Sequence, residues 1–237
     1  MVRGLNGRPP RVKEDQIVYI AGHEIIRVKK HAGWRCYGTS VENDDAFCAI
    51  LLAFARRIGI IVPGRKGALI EPIVPRSTEA AEERSLSAAY GLGELPMHID
   101  TAHYLRPARH LILGCANPGQ SGTLTRLAPI SALKFSPGEL SLLTSAVMLV
   151  RSGRRSFYST ILDRCRPFLR YDPGCMEPLD ARGEDALQIV SDAIGRIEVI
   201  KHEWRRGELL LINNWSMLHG RTATAADSRL LFRVSVQ

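Results

Sequence analysis

The first chemical signal lies in Leu95-Pro-Met-His98-Ile-Asp100, where an imidazole and a carboxylate stand two positions apart in a strand-like stretch. A strand points residues i and i+2 to the same face, so both groups would project into one space. His219, just past the apolar run 209–213 in Trp215-Ser-Met-Leu-His219-Gly-Arg221, offers a second imidazole. Two imidazoles and one carboxylate on a face, with the other positions open, suit a ferrous ion that must also bind small molecules. The spacing alone is common, and a His and an Asp two apart serve equally as a hydrogen-bonded surface pair. On the last apolar run, Leu230, Phe232, Val234 and Val236 point one way while Leu231, Arg233 and Ser235 point the other. Facing inward, the Arg233 guanidinium would grip a carboxylate through a planar fork that Lys cannot reproduce; facing outward, it would be solvated.

Other candidates are weaker. Arg170 and Asp172, in Leu169-Arg-Tyr-Asp-Pro-Gly-Cys-Met176, combine opposite charges with turn formers. Such a pair either complements a zwitterionic substrate or closes an ion-paired turn. His202, in His202-Glu-Trp-Arg-Arg, lacks the second His of an HExxH zinc site and reads as surface. The five cysteines, Cys36, Cys48, Cys115, Cys165 and Cys175, are odd in number and never spaced as CxxC, which predicts reduced, mostly packed thiols.

These residues need elements to hold them. Gly, Pro, Arg and Lys dominate residues 1–15, which read as a flexible arm ahead of a single domain over 16–237. Short β-rich stretches follow at 17–21 and 24–28. Asn43, Asp44 and Asp45 are good N-cap types, and Phe47, Ile50, Leu51, Phe54 and Ile58 then recur every three or four residues until Gly59. A helix is predicted there, and another over 183–199. Further strands are predicted at 60–62, 68–74, 95–99, 111–115, 208–213 and 230–236, while 140–149 fits either class. Many short strands with a few helices outside them indicate a mainly β chain with flanking helices (α+β) and a jelly-roll or sandwich-like core.

Composition narrows the function classes. Of 237 residues, 45% are hydrophobic and 24% charged, close to the globular average and far from disorder or coiled coil. The longest apolar run, residues 46–55, is too short to span a membrane, so no membrane partner and a cytoplasmic setting are expected. The net charge of +8 raises the question of nucleic acid. The basic residues are scattered and little interleaved with aromatics, whereas a binding stripe would concentrate them, so nucleic acid is not the expected partner.

Taken together, the motifs resemble the Fe(II) and 2-oxoglutarate dependent oxygenases of the taurine dioxygenase and clavaminate synthase-like group. The resemblance spans roughly 85–237 and rests on Leu95 to His103, Arg106-Pro107, Ser121-Gly-Thr-Leu-Thr125, and Gly207 to Arg221 with Arg233. It implies a double-stranded β-helix with His98, Asp100 and His219 as iron ligands. Arg233, fourteen residues after His219, corresponds to the clamp on a 2-oxoglutarate carboxylate, and Thr125, or alternatively Thr123, to the hydroxyl beside it. His103 falls on the substrate side or is a polar loop residue, and Arg221 would bond a carboxylate or the backbone. Three protein ligands leave room for bidentate 2-oxoglutarate and O2.

The implied activity is hydroxylation of an amino acid or related small metabolite with release of succinate and CO2. Desaturation or ring closure would use the same ligands, and Asp100 argues against a halogenase because it occupies the position a halide would need. The chain departs from the family at Gly122-Thr123, where a paired Gly is usual, and near Asn213, where an Asp is usual. Its length suggests a reduced lid. The competing class is a non-enzymatic basic module that binds nucleic acid and uses its His and Asp residues structurally.

Overall fold

The computed structural model describes residues 17–20, 22–64, 67–81 and 85–237; the arm expected over 1–15 lies outside them. Fifteen strands and four α-helices make up the described chain. The largest sheet contains β1 (Ile17–Ile20), β2 (His23–His31), β3 (Trp34–Thr39), β4 (Ile61–Val62), β5 (Glu71–Ile73), β7 (His110–Asn117), β13 (Glu208–Asn213) and β15 (Leu230–Val236). Its order is β1-β2-β3-β13-β7-β15-β4, with β5 also on β15. A four-stranded sheet, β12-β8-β14-β6, is built from β6 (Leu95–His98), β8 (Thr125–Pro129), β12 (Ile200–His202) and β14 (Met217–Arg221). A small third sheet joins β9 (Met148–Val150), β10 (Phe157–Ser159) and β11 (Met176–Pro178). The strand pairs within these sheets are antiparallel.

Alternation along the central strands decides the layers. On β13, Leu209 and Leu211 pack with helix α1 (Asp44–Ile58), whereas Leu210 and Ile212 face the four-stranded sheet together with Trp34, Cys36, Leu113, Cys115 and Leu127. Both faces are therefore covered, which explains why β13 and β7 read as unbroken apolar runs. The two facing sheets form the expected jelly roll. Helix α1 begins at Asn43, whose side chain accepts from the Ala46 N–H, and it ends at Gly59. Gly114 on β7 lets the helix approach, since a Cβ there would lie 3.0 Å from the Phe47 ring.

The remaining helices are α2 (Leu86–Tyr90), α3 (Pro137–Ser145) and α4 (Ala181–Gly195). Leu143 of α3 and Ala186, Val190 and Ala193 of α4 form a second core with Met148 of β9 and with Ala128 and Leu218 of the four-stranded sheet. The ambiguous stretch 140–149 thus divides: helix up to Ser145, then strand from Met148. No helix among the described residues is long and apolar enough to cross a membrane.

Phe47 is 2% exposed and spans the contact between α1 and the sheet. Phe47→Ala should cost about 3–5 kcal/mol of stability, and Asn43→Ala about 1 kcal/mol through the lost cap, as read by urea unfolding. Equal effects for the two would show that the helix is held by its end rather than its face.

Candidate metal centre

Strand β6 ends at His98, and the register of β14 against β6 sets His219 opposite it. The two imidazole centroids are 4.5 Å apart. Asp100 lies beyond the strand end, so pleat alternation alone does not aim it. A turn does so, tied down by Asn214, which is wholly buried. Its Oδ1 accepts from the Asp100 N–H at 2.9 Å, and its Nδ2 donates to the carbonyls of Asp100 (2.9 Å) and Ala108 (2.8 Å). Thr101 adopts φ 57°, in the left-handed region that a β-branched residue rarely occupies. Its hydroxyl donates to the Asp100 carbonyl at 2.6 Å and accepts from the Ala108 N–H at 2.8 Å, which holds the strained residue in place.

One ligand atom each from His98, Asp100 and His219 lie within 4.8 Å of one another, and all three residues are buried. His98 Nδ1 sits 2.9 Å from the Pro96 carbonyl, which assigns the proton to Nδ1 and leaves the Nε2 lone pair facing Asp100. Asp100 Oδ1 is 3.7 Å from His98 Nε2 and 3.9 Å from His219 Nε2. Oδ1 is thus the inward oxygen of the set. Arg233 Nη1 approaches both carboxylate oxygens at 3.2 Å, while its Nε and Nη2 bond Glu71 Oε2 at 3.1 and 2.8 Å. Burial by itself would raise the Asp100 carboxyl, but Arg233 and the two imidazoles hold it well below the usual carboxylate range. The imidazoles diverge. Burial and the charge at His98 depress His219, whereas at His98 burial is outweighed by hydrogen bonding to Asp100 and the His98 value rises. Buried donors converging without a proton to satisfy all of them fit a divalent ion.

Residues 139–235 match the family model described as "Taurine catabolism dioxygenase TauD, TfdA family". That stretch includes His219 and Arg233 but not His98 or Asp100. Among solved structures, an asparagine oxygenase in complex with Fe(II), 2S,3S-3-hydroxyasparagine and succinate superposes with TM-score 0.62 at 22% identity, covering 79% of this chain and 63% of that one. The non-heme iron oxygenase OrfP in complex with Fe and alpha-ketoglutaric acid gives 0.60 at 18%, covering 79% and 63%. PvcB, an Fe, alpha-ketoglutarate dependent oxygenase from an isonitrile synthetic pathway, gives 0.59 at 21%, covering 80% and 70%. Residues 139–235 are thus similar in sequence to that family. At these identities the superpositions establish the double-stranded β-helix fold, and the chain spans 63% of that asparagine oxygenase. No curated protein sequence matches it.

The other expected site residues fall in different places. Thr125, on β8, is buried and its hydroxyl accepts from Trp204 Nε1 at 2.8 Å. Thr123 instead donates to the Thr224 hydroxyl at 2.7 Å. His103 is half-buried, edge-on to Tyr104. Asp172 lies close enough for its charge to act on His98, and its side chain caps the turn through the Gly174 N–H.

Arg170 differs from the expectation of a substrate-facing cation. It is 1% exposed, lies over the rings of Phe157 and Phe168, and donates to the carbonyls of Ala102, Tyr104 and Leu105. It has no ion pair with Asp172 among the described residues. Arg221 bonds the backbone, donating to the carbonyls of Gly91 and Gly93. His202 is a correction: it is 1% exposed, because β12 pairs with β8 and turns the ring inward between Trp34 and Trp204.

Sequence reasoning missed two residues. Asn214 stood in the quoted motif, but the missing Asp nearby drew attention to the wrong position. Arg229 precedes β15 and is buried, with no hydrogen-bond partner for its Nε among the described residues. Its charge acts on Cys115 and on Arg221, the register partner of Thr125. The parity that points Leu231 and Arg233 inward could have indicated it.

Asn214→Ala would strip partners from the Asp100 N–H and from two buried carbonyls. It should cost about 1–3 kcal/mol of stability and weaken divalent-metal affinity by about 10–100-fold, as measured by unfolding and by metal titration. Undiminished metal affinity would show that Asn214 supports the fold only.

Proposed function

We propose that this chain is a non-haem Fe(II)/2-oxoglutarate-dependent oxygenase that hydroxylates a free amino acid or a related small metabolite, releasing succinate and CO2. The observation that carries this reading is the buried convergence of His98, Asp100 and His219, with Arg233 of the facing sheet bonded to Asp100. Fe(II) held there would supply activation of O2 coupled to decarboxylation of 2-oxoglutarate. The protein's own residues bind, orient and exclude water. Asp100 would ligate through Oδ1, its inward oxygen, while Arg233 steadies the carboxylate through Oδ2.

2-Oxoglutarate carries a carboxylate at each end, and two guanidiniums serve it. Arg233 flanks the metal end, where its fork is shared with Glu71 and must be partly released to a ligand. Thr125 lies two residues from Leu127, the register partner of His219, and so marks a level farther along the barrel. Arg229, with its unpartnered Nε, acts at that level. We therefore assign the distal carboxylate to Arg229 and Thr125, beside the motif-based assignment of Arg233. His103 and Asp172 remain the proposed substrate-side residues. The asparagine oxygenase and OrfP structures contain hydroxyasparagine and hydroxylated arginine, which favours an amino acid as substrate.

The test is succinate formation from 2-oxoglutarate by iron-loaded protein, with free L-amino acids scanned for gain of one oxygen. His219→Ala and Asp100→Ala should abolish it, since each removes one of three ligands. Normal turnover by either variant would rule out the centre, and failure of the parent to consume 2-oxoglutarate would favour a non-enzymatic module. Arg229→Lys should raise the 2-oxoglutarate KM by about tenfold or more without loss of iron. Arg233→Lys should raise that KM and weaken iron binding together. A KM moved by Arg233→Lys alone would return both carboxylate contacts to Arg233.

A further inference from the structure

A second buried donor set lies between the same two sheets. Cys36 on β3, Glu208 on β13 and His202 on β12 each offer a ligand atom, and these atoms lie within 4.8 Å of one another. His202 Nε2 is 3.3 Å from Glu208 Oε2. Apart from that ion-pair contact, neither ring nitrogen of this almost wholly buried His makes a hydrogen bond among the described residues. A polar ring enclosed by Trp34 and Trp204, with Nδ1 unsatisfied and Nε2 facing only the Glu208 carboxylate, is costly, which calls for a ligand at that point.

The surrounding backbone is firmly built. Gly207, at φ +81°, donates to the Cys115 carbonyl at 2.8 Å, and its own carbonyl accepts from Thr39 at 3.0 Å. A Cβ at this glycine would lie 2.4 Å from the Thr39 carbonyl oxygen, so only glycine permits the approach that starts β13 at Glu208. The Arg205 N–H fixes Glu208 Oε2 at 3.0 Å. The register Leu209↔Gly114 places Glu208 across from Cys115, whose buried thiol shares the face of Cys36.

We infer that Cys36, His202 and Glu208 form a structural site for a thiophilic divalent cation, Zn2+ by donor chemistry, with Cys115, on the strand across from Glu208, as the candidate fourth ligand. Sulfur, imidazole nitrogen and a carboxylate together match tetrahedral zinc and exclude magnesium or calcium. Donors about 2.0–2.3 Å from a tetrahedral zinc stand about 3.3–3.8 Å apart; His202 and Glu208 are already at that spacing, and Cys36 has to close in by at most about 1.5 Å. The site would pin β3, β13 and β12, and through Trp204 it abuts Thr125. It stands independently of the proposed oxygenase activity.

Cobalt(II) is the probe, because thiolate ligation gives an intense near-ultraviolet charge-transfer band that the His98, Asp100 and His219 set cannot produce. Metal-stripped full-length protein titrated with Co2+ should develop that band, and Zn2+ should displace it. A His98→Ala/His219→Ala chain should keep the band, Cys36→Ala should lose or weaken it, and Cys36→Ala/Cys115→Ala should lose it. His202→Ala provides a second variant that should lose or shift it, should Cys36→Ala fail to fold. Absence of the band in the parent at saturating Co2+ would leave a packed His-Glu pair and overturn the site; so would a band unaltered in Cys36→Ala.

Discussion

The pairing of β14 with β6 governs what this chain can do. Opposing His219 to His98 brings together side chains separated by more than a hundred residues, and a one-residue slip would turn an imidazole onto the opposite face. The apolar pattern protects that register, since Leu218 packs toward α3 and α4 while Met217 packs between the sheets. Stability and ligand geometry are therefore the same property at this point. The carboxylate is the exception. It is aimed by a turn whose hydrogen bonds converge on two side chains, the Asn214 amide and the Thr101 hydroxyl.

A jelly-roll interior is expected to be dry, yet this one holds Arg229, Glu208, His202 and the His98–Asp100–His219 set between its sheets. Buried charge persists only when paired, coordinated or hydrogen-bonded. Asp100 and Arg233 meet that condition with each other and Glu71. Arg229 and His202 do not meet it fully, each keeping a buried nitrogen unpartnered. The apolar filling between the sheets includes Leu127 and Trp204.

Much of the site was legible in the sequence because its residues fall in short motifs. The His98 and Asp100 pair, His219 and Arg233 could each be placed by spacing on a strand or at its end. Helix α1 was legible from its cap and period, and β13 and β15 from apolar runs. Strand β3 was not, since Trp-Arg-Cys-Tyr-Gly-Thr carries no clean alternation and takes its burial from β13 across the sheet. His202 was misread because burial of a lone polar residue is decided by strands distant in sequence. Arg170 was misread because nothing local indicates that three carbonyls of residues 102–105 converge on it.

The placement of Arg170 bears on how such a scaffold can be diversified. Its guanidinium fastens the turn after Asp100 to the segment between β10 and α4, two stretches that would otherwise vary independently at the mouth of the barrel. A graft that exchanges residues 157–176 for a relative's loop would remove that fastening and disturb the metal-side turn without altering any ligand. Loop transplantation on this chain must therefore carry an equivalent cation with it, or rebuild residues 101–108 in the same step.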